Sequence, residues 1–247
     1  MIYSSFASYY DTLTPDIDYA VWVKYLQSVF ALHNKSPKHI TELGCGTGSV
    51  TLELCKSGYG VTGVDLSGEM LSHARQKLDN AGYTDTLLLR QDMARLDMLN
   101  KTDAVICCLD GMNYLIRPGE LLSCFRRVKV FLKQGGIFIF DMNSPYKYKN
   151  ILAGNVFTYD EGGVFCVWQN DFNEKTKICD FYLTFFENTG GGLYRRSEER
   201  HRQRSYSQIA IKKLLSQAGL TVAGVYGDFT FDAPKDDCER IFYVAIA

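Results

Sequence analysis

The chain has 247 residues, 46% of them hydrophobic, with a formal net charge of -1 and a pI near 6.4. That is enough apolar material for one sizeable core and excludes wholesale disorder, while the near-neutral balance argues against a dedicated nucleic-acid binder, which carries a basic surplus. The eight cysteines form no C-x-x-C pair and are scattered through apolar runs, so zinc and redox motifs are unsupported and a reducing cytosol is the expected setting.

The first segment, "MIYSSFASYYDTLTPDIDY", has no basic n-region and no long apolar core. It does not read as a signal peptide, and no run is long enough to span a membrane, so a cytoplasmic protein is expected. Residues 17–32, after Pro15 and Asp16, read as an amphipathic helix. Residues 39–43 are a short strand and 48–57 a helix. Residues 59–67 form a β-branched strand ending in a turn, and 68–82 a helix stopped by Gly82. Strands follow at 84–93 and 102–111, then a helix at 119–136 with a Gly-Gly stop, then a fifth strand at 137–143. Strands this apolar are buried on both faces, as in a parallel sheet covered by helices. Repeated strand–helix units imply an α/β, Rossmann-like doubly wound fold.

The rhythm breaks at about 150. "NVFTYDE", "GVFCVWQNDF", "KICDFYLTFFEN" and "LYRRSEERHRQR" alternate apolar and polar residues and are separated by glycine-rich or Asn-Glu-Lys turns. These are hairpin signals. They predict an antiparallel β-sheet, residues 146–205, inserted as a substrate cap. Residues 1–145 and 206–247 then form the core, with 1–36 as an N-terminal helical cap. Residues 205–220 resume the helical pattern, with Ser207 as cap and Gly219 as stop. "TVAGVYGDFT" and "ERIFYVAIA" close the chain as two strands joined by a loop too short for a crossover helix. They should be antiparallel and complete a seven-stranded sheet.

"HITELGCGTGSVTLEL" joins a strand to a helix through Gly44, Gly46 and Gly48. A strand, a glycine turn and a helix start suit a nucleotide-like ligand, because bare backbone approaches it and N-terminal amides face it. The dinucleotide fingerprint G-x-G-x-x-G fails by one residue, since Ser49 stands where its last glycine belongs, and no Lys-Ser or Lys-Thr follows. Asp65 ends the second strand, where a carboxylate accepts from both ribose hydroxyls. Asp92 follows the third strand, where a carboxylate accepts from an exocyclic adenine amine. All three strand ends open onto one sheet edge.

Those stretches, "ELGCGTG", "VTGVDLS", "RQDMARLD" and "AVICCLDGMNYL", resemble the class I S-adenosylmethionine-dependent methyltransferases over nearly the whole chain. "FASYYDTLTPDIDYAVWVKYL", with its Tyr10-Asp11 pair, is similar to the N-terminal cap of a bacterial subgroup related to sugar N-methyltransferases and glycine or sarcosine N-methyltransferases. The resemblance implies S-adenosyl-L-methionine as cofactor and S-adenosyl-L-homocysteine as product. It implies that Gly44, Gly46 and Gly48 let the backbone pass the methionine portion and that Glu42 orients the loop or contacts the ammonium. Asp65 would hold the ribose, Leu66 and Met70 the adenine faces, and Asp92 and Met93 the adenine edge. Cys45, Gln91 and Leu109 flank these positions and complete the expected cofactor shell. Asp110 would lie near sulfonium and acceptor, and Tyr10 would close over the cofactor.

The strand period puts Glu199, His201 and Gln203 on one face, and Glu198, Arg200, Arg202 and Arg204 on the other. If the first face looks into a cleft, His201 accepts the proton lost by a methylated amine or hydroxyl; otherwise it is a surface histidine. The catalytic candidates are therefore Tyr10, His201 and Asp110. "NSPY" (143–146) is similar to the Asn-Pro-Pro-Tyr motif of amino-methyltransferases acting on DNA or protein, but it follows the fifth strand and not the fourth, and reads as an exit loop. Phe157, Tyr159, Phe165, Trp168, Phe172, Phe181, Tyr182, Phe185 and Phe186 suggest apolar cleft walls, about half of them serving the insert's own core.

The expected reaction is in-line displacement onto a small-molecule acceptor, with no metal, and with nitrogen favoured over oxygen because one histidine is the sole evident base. The competing readings are a cofactor-binding partner or sensor without transfer, a tRNA or RNA methyltransferase, and a nicotinamide-dependent Rossmann enzyme. The glycine spacing and terminal strand pair oppose the last. Monomer and homodimer both remain open.

Overall fold

In the computed structural model, which describes residues 6–14 and 16–247, two short helices lead into the sheet. Residues 1–5 of the expected cap, and the Pro15 start signal, lie outside the described residues. The elements are α1 (Phe6–Leu13), α2 (Tyr19–Leu32), β1 (His39–Leu43), α3 (Ser49–Lys56), β2 (Gly60–Asp65), α4 (Gly68–Asn80), β3 (Leu87–Arg90), β4 (Thr102–Cys107), α5 (Glu120–Phe131) and β5 (Leu132–Asn143). Then come β6 (Val156–Glu161), β7 (Val164–Asn173), β8 (Ile178–Gly190), β9 (Leu193–Arg204), α6 (Gln208–Gln217), β10 (Thr221–Gly227) and β11 (Arg240–Ile246).

The main sheet has seven strands in the order β10-β11-β5-β4-β1-β2-β3. Strands β1 to β5 run parallel, while β11 is antiparallel to both β5 and β10, as the short final connection requires. The apolar run Ile137–Phe140 shows why β5 is central. Phe138 and Phe140 enter one core with Phe125, Ile211 and Tyr243, under α5 and α6. Ile137 and Ile139 enter the other with Leu26, Val29, Leu54 and Phe242, under α2 and α3. Each such side chain contributes roughly 1.5–3 kcal/mol by leaving water.

Helix ends follow local chemistry. Asp18, not Asp16, caps α2, accepting from the Ala20 and Val21 amides at 3.0 and 3.1 Å. Ser67 and Ser207 cap α4 and α6. The helix expected to reach 136 ends at Phe131. Leu132 turns extended, is buried, and pairs with Thr102 of β4, so burial overrides helix propensity and the strand begins there. The third strand is shorter than expected, because Asp92 caps a single 3₁₀ turn at Met93–Arg95.

A second sheet, four antiparallel strands in the order β6-β7-β8-β9, forms from the alternating segments. It is entered through a π-helical turn, Lys147–Leu152, that alternation of residue types does not announce. Tyr148 of this turn is fully buried against Phe181 and Cys179. Another small core joins Leu13 of α1 to Val164, Cys166, Leu183 and Phe185. Among the described residues, no helix is long and apolar enough to cross a membrane.

Candidate active site

The loop after β1 carries three left-handed glycines: Gly44 (φ +68), Gly46 (φ +53) and Gly48 (φ +76). Side chains other than glycine adopt this backbone at a cost. The three have different reasons to be bare. A Cβ on Gly46 would meet no protein atom within 4 Å and would occupy ligand space. One on Gly44 would come within 3.6 Å of Met93 Cε. One on Gly48 would come within 2.9 Å of Ala74 Cβ in α4. Gly48, grouped above with the ligand loop, instead lets α3 and α4 approach, and it does not line the cavity.

Carboxylates stand at successive strand ends. Asp65 accepts from the Gly46 amide at 2.9 Å and the Ser67 amide at 2.8 Å, and burial raises its pKa. Asp92 accepts from the Ala94 amide at 2.8 Å and lines the same cavity. Gln91 also reaches the wall, but its side-chain amide is committed to the Asp97 backbone through two 2.8 Å bonds, so only its outline is offered to a ligand. Glu42 is buried, takes a hydrogen bond from the Thr51 hydroxyl, and is pushed up to about 8 chiefly by desolvation. Met70, Met93, Leu66, Cys45 and Leu109 complete this half of the wall.

The other half gathers residues from distant segments. Leu109 and Asp110 are both left-handed, at φ +58 and +53. Asp110 Oδ1 receives Arg240 Nη1 and Nη2 at 3.2 Å each, and Oδ2 receives Gln203 Nε2 at 2.7 Å. Arg240 also pairs with the buried Asp141, whose Oδ2 accepts from the Asp110 amide at 2.9 Å. Both oxygens of Asp110 are thus engaged, which suits an anchor of the β4 loop better than a proton acceptor. Gln203 Oε1 takes the Tyr148 hydroxyl at 2.7 Å, tying β9 to the π-turn. Residue spacing revealed neither Arg240 nor Asp141; an aspartate inside "IFIFDMN" was the single available signal.

Glu199, His201 and Gln203 share one face, as the strand period predicts, and that face is the inner one, with His201 2% exposed and in the cavity wall. Arg200 and Arg202 point outward to Asp180, at 2.9 and 3.0 Å. The Tyr114 ring stands edge-on to His201, centroids 6.1 Å apart. Tyr10 lines the cavity from α1, and its hydroxyl pKa is raised chiefly by burial. The neighbouring Asp11 accepts from the Thr47 hydroxyl at 2.7 Å and pairs with Lys77 at 2.7 Å, which fastens α1 to the glycine loop. Of the insert's aromatics, Tyr159, Trp168 and Phe181 reach the cavity. Phe165 and Tyr182 do not; they are 37% and 39% exposed on the outer face.

The lining residues named above bound one cavity of about 870 Å³, running from the glycine loop to the inner face of the second sheet. Residues 40–136 match the family described as methyltransferase domain. A protein of Geobacillus sp. (strain WCH70), provisionally named a methyltransferase, is 35% identical over 99% of both chains. The solved S-adenosylmethionine-dependent methyltransferase from Clostridium acetobutylicum ATCC 824 is 35% identical, covers 99% of this chain and 98% of its own, and superposes with a TM-score of 0.88. The chain belongs to the class I S-adenosylmethionine-dependent methyltransferases. The sugar N-methyltransferase KedS8 from Streptoalloteichus sp ATCC 53650 shares the fold, with a TM-score of 0.77 at 19% identity, covering 99% of this chain and 93% of its own.

The site fits the cofactor of this methyltransferase. The space over Gly46, the carboxylate of Asp65 beside it, and the apolar Met70 and Met93 suit a ligand with a polar ribose and a flat adenine. The two glycines should separate experimentally. Gly46→Ala is expected to weaken S-adenosylmethionine binding more than it lowers the melting temperature. Gly48→Ala should do the reverse, losing roughly 1–3 kcal/mol of stability by overpacking against Ala74. Calorimetric titration and thermal melts on both variants check this; matching profiles would refute the division.

Proposed function

We propose that this methyltransferase N-methylates a small amine-bearing acceptor held between the carboxyl edge of the main sheet and the inner face of the insert. The observation that carries the reading is the cavity of about 870 Å³ with buried His201 in its wall. Its volume is near the upper end of small-molecule sites, roughly 300–1,000 Å³, and leaves room for donor and acceptor together.

In this reading Asp65 holds the ribose hydroxyls and Asp92 the adenine amine, with Leu66, Met70 and Met93 against the ring. Cys45, Gln91 and Leu109 shape the shell around it. The backbone at Gly44 and Gly46 passes the methionine portion. Glu42, neutral when buried alone, becomes the partner of the ligand's ammonium, since a positive charge favours the carboxylate. When bound, S-adenosylmethionine supplies a methyl group on a sulfonium that departs as a neutral thioether. The protein's share is to align the acceptor, exclude water and receive a proton. Tyr10 covers the reacting centre, Asp110 keeps the β4 loop in its strained form, and His201 takes the proton.

The exposed arginines of β9 support a small acceptor over RNA: Arg195, Arg196, Arg200 and Arg202 are each paired with a carboxylate of the same sheet. That KedS8 is a sugar N-methyltransferase supports nitrogen through shared fold alone. The test is S-adenosylhomocysteine formation with matched panels of amines and hydroxyl compounds, amino sugars included. Turnover should be confined to amines. His201→Ala should lower it about 10²-fold, with cofactor affinity unchanged. Turnover on hydroxyls alone, or an unaffected His201→Ala enzyme, would overturn the proposal.

A further inference from the structure

Glu199 is the buried carboxylate that the reaction as described leaves unused. Its side chain is 5% exposed and its Oε2 lies 3.4 Å from His201 Nε2. It does not line the cavity; His201 stands in the wall. Its row across the inner face is apolar, because Glu199 pairs with Leu183, which pairs with Trp168. A carboxylate is unfavourable among such neighbours unless a charged or hydrogen-bonding partner faces it. Positions two apart on a strand share a face, so β9 itself fixes Glu199 beside the ring.

We propose that Glu199 is a positioning residue for His201: its carboxylate, at ion-pair distance, draws the ring proton to Nε2, which fixes the imidazole tautomer and assigns the acceptor's proton to Nδ1. The inference rests on His201 as proton acceptor. In the step, the acceptor nitrogen's lone pair forms the bond to the methyl carbon, and the electron pair of the breaking carbon–sulfur bond stays on sulfur. The acceptor's N–H proton moves to His201 Nδ1. The resulting imidazolium lies against the Glu199 carboxylate, which stabilises it until water removes the proton. This is the logic by which a buried carboxylate orients a catalytic histidine in hydrolytic triads.

Two measurements test it. In ligand-free protein, ring nitrogen NMR of His201 should show the Nε2–H tautomer, and Glu199→Leu should convert it to a mixture. In turnover, Glu199→Leu should lose about 10²-fold, the scale of one general-base contribution, with S-adenosylmethionine affinity unchanged. Glu199→Gln, which keeps an accepting oxygen, should recover part of that loss. In a His201→Ala background, Glu199→Leu should add nothing, as members of one unit are not additive. Full activity of His201→Ala would remove the reading beneath the inference. A slow His201→Ala with a fully active Glu199→Leu, or additive losses in the double variant, would overturn the role of Glu199 alone.

Discussion

Asp65→Ala should weaken S-adenosylmethionine and S-adenosylhomocysteine binding at least tenfold. The carboxylate already accepts from the Gly46 and Ser67 amides, so it organises the loop as well as lining the cavity. Removing it leaves those amides without their acceptor and deprives the ligand of its ribose partner. Each lost or orphaned hydrogen bond of this type is worth roughly 1–3 kcal/mol, and about 1.4 kcal/mol is a factor of ten in affinity. Asp65→Asn keeps one accepting oxygen and should fall between. Calorimetric titration of folded variants decides; unchanged affinity would detach Asp65 from the cofactor.

Arg240→Met is the second change of large expected effect, and it acts on the fold. The guanidinium bridges Asp110 and Asp141 and lies over the Trp22 ring at 5.2 Å. Methionine preserves some packing but strands two carboxylates, and breaking a buried pair in this way destabilises by roughly 3–5 kcal/mol. The loss should depend on pH. Even with Arg240 present, burial pushes Asp141 up to about 6 from an ordinary 3.8. Between those values the folded chain keeps a proton that the unfolded chain releases, so stability falls as pH rises through the window. Without Arg240 the folded-state pKa rises further and the loss extends upward. Denaturant melts should therefore show a larger deficit at pH 8 than at pH 5. Equal deficits would mean that packing, not charge, explains the effect.

The two halves of the molecule were legible for different reasons. Strands such as Ile137–Phe140 announce themselves because they are apolar on both faces. That His201 shares a face with Glu199 and Gln203 was legible from alternation along β9, since side-chain direction there has a period of two; that this face is the buried one was not. Leu132 was misread because its burial depends on Thr102, thirty residues earlier in the chain. The packing of Gly48 on Ala74 was not legible because three glycines look alike in a sequence and differ only in what lies beside them. The bridge from Arg240 to Asp110 joins opposite ends of the core, and no local pattern encodes it. The carboxyl edge of a parallel sheet could be placed from its strand ends, whereas the residues that reach it from β9 and β11 depend on tertiary contacts.

The fastening of α1 has an energetic side. Thr47 belongs to the glycine loop in the cavity wall, and its hydroxyl also holds Asp11. A helix and a cavity wall fastened through one residue are coupled: displacing α1 costs the glycine loop its contact at Thr47. Asp11 and Lys77 meet in partial contact with water, where such pairs are weak. The charged part of this fastening is therefore weak, whereas the bridge of Arg240 to Asp110 and Asp141 behind it is buried. Added salt should therefore loosen the hold on α1 before it reaches that buried bridge.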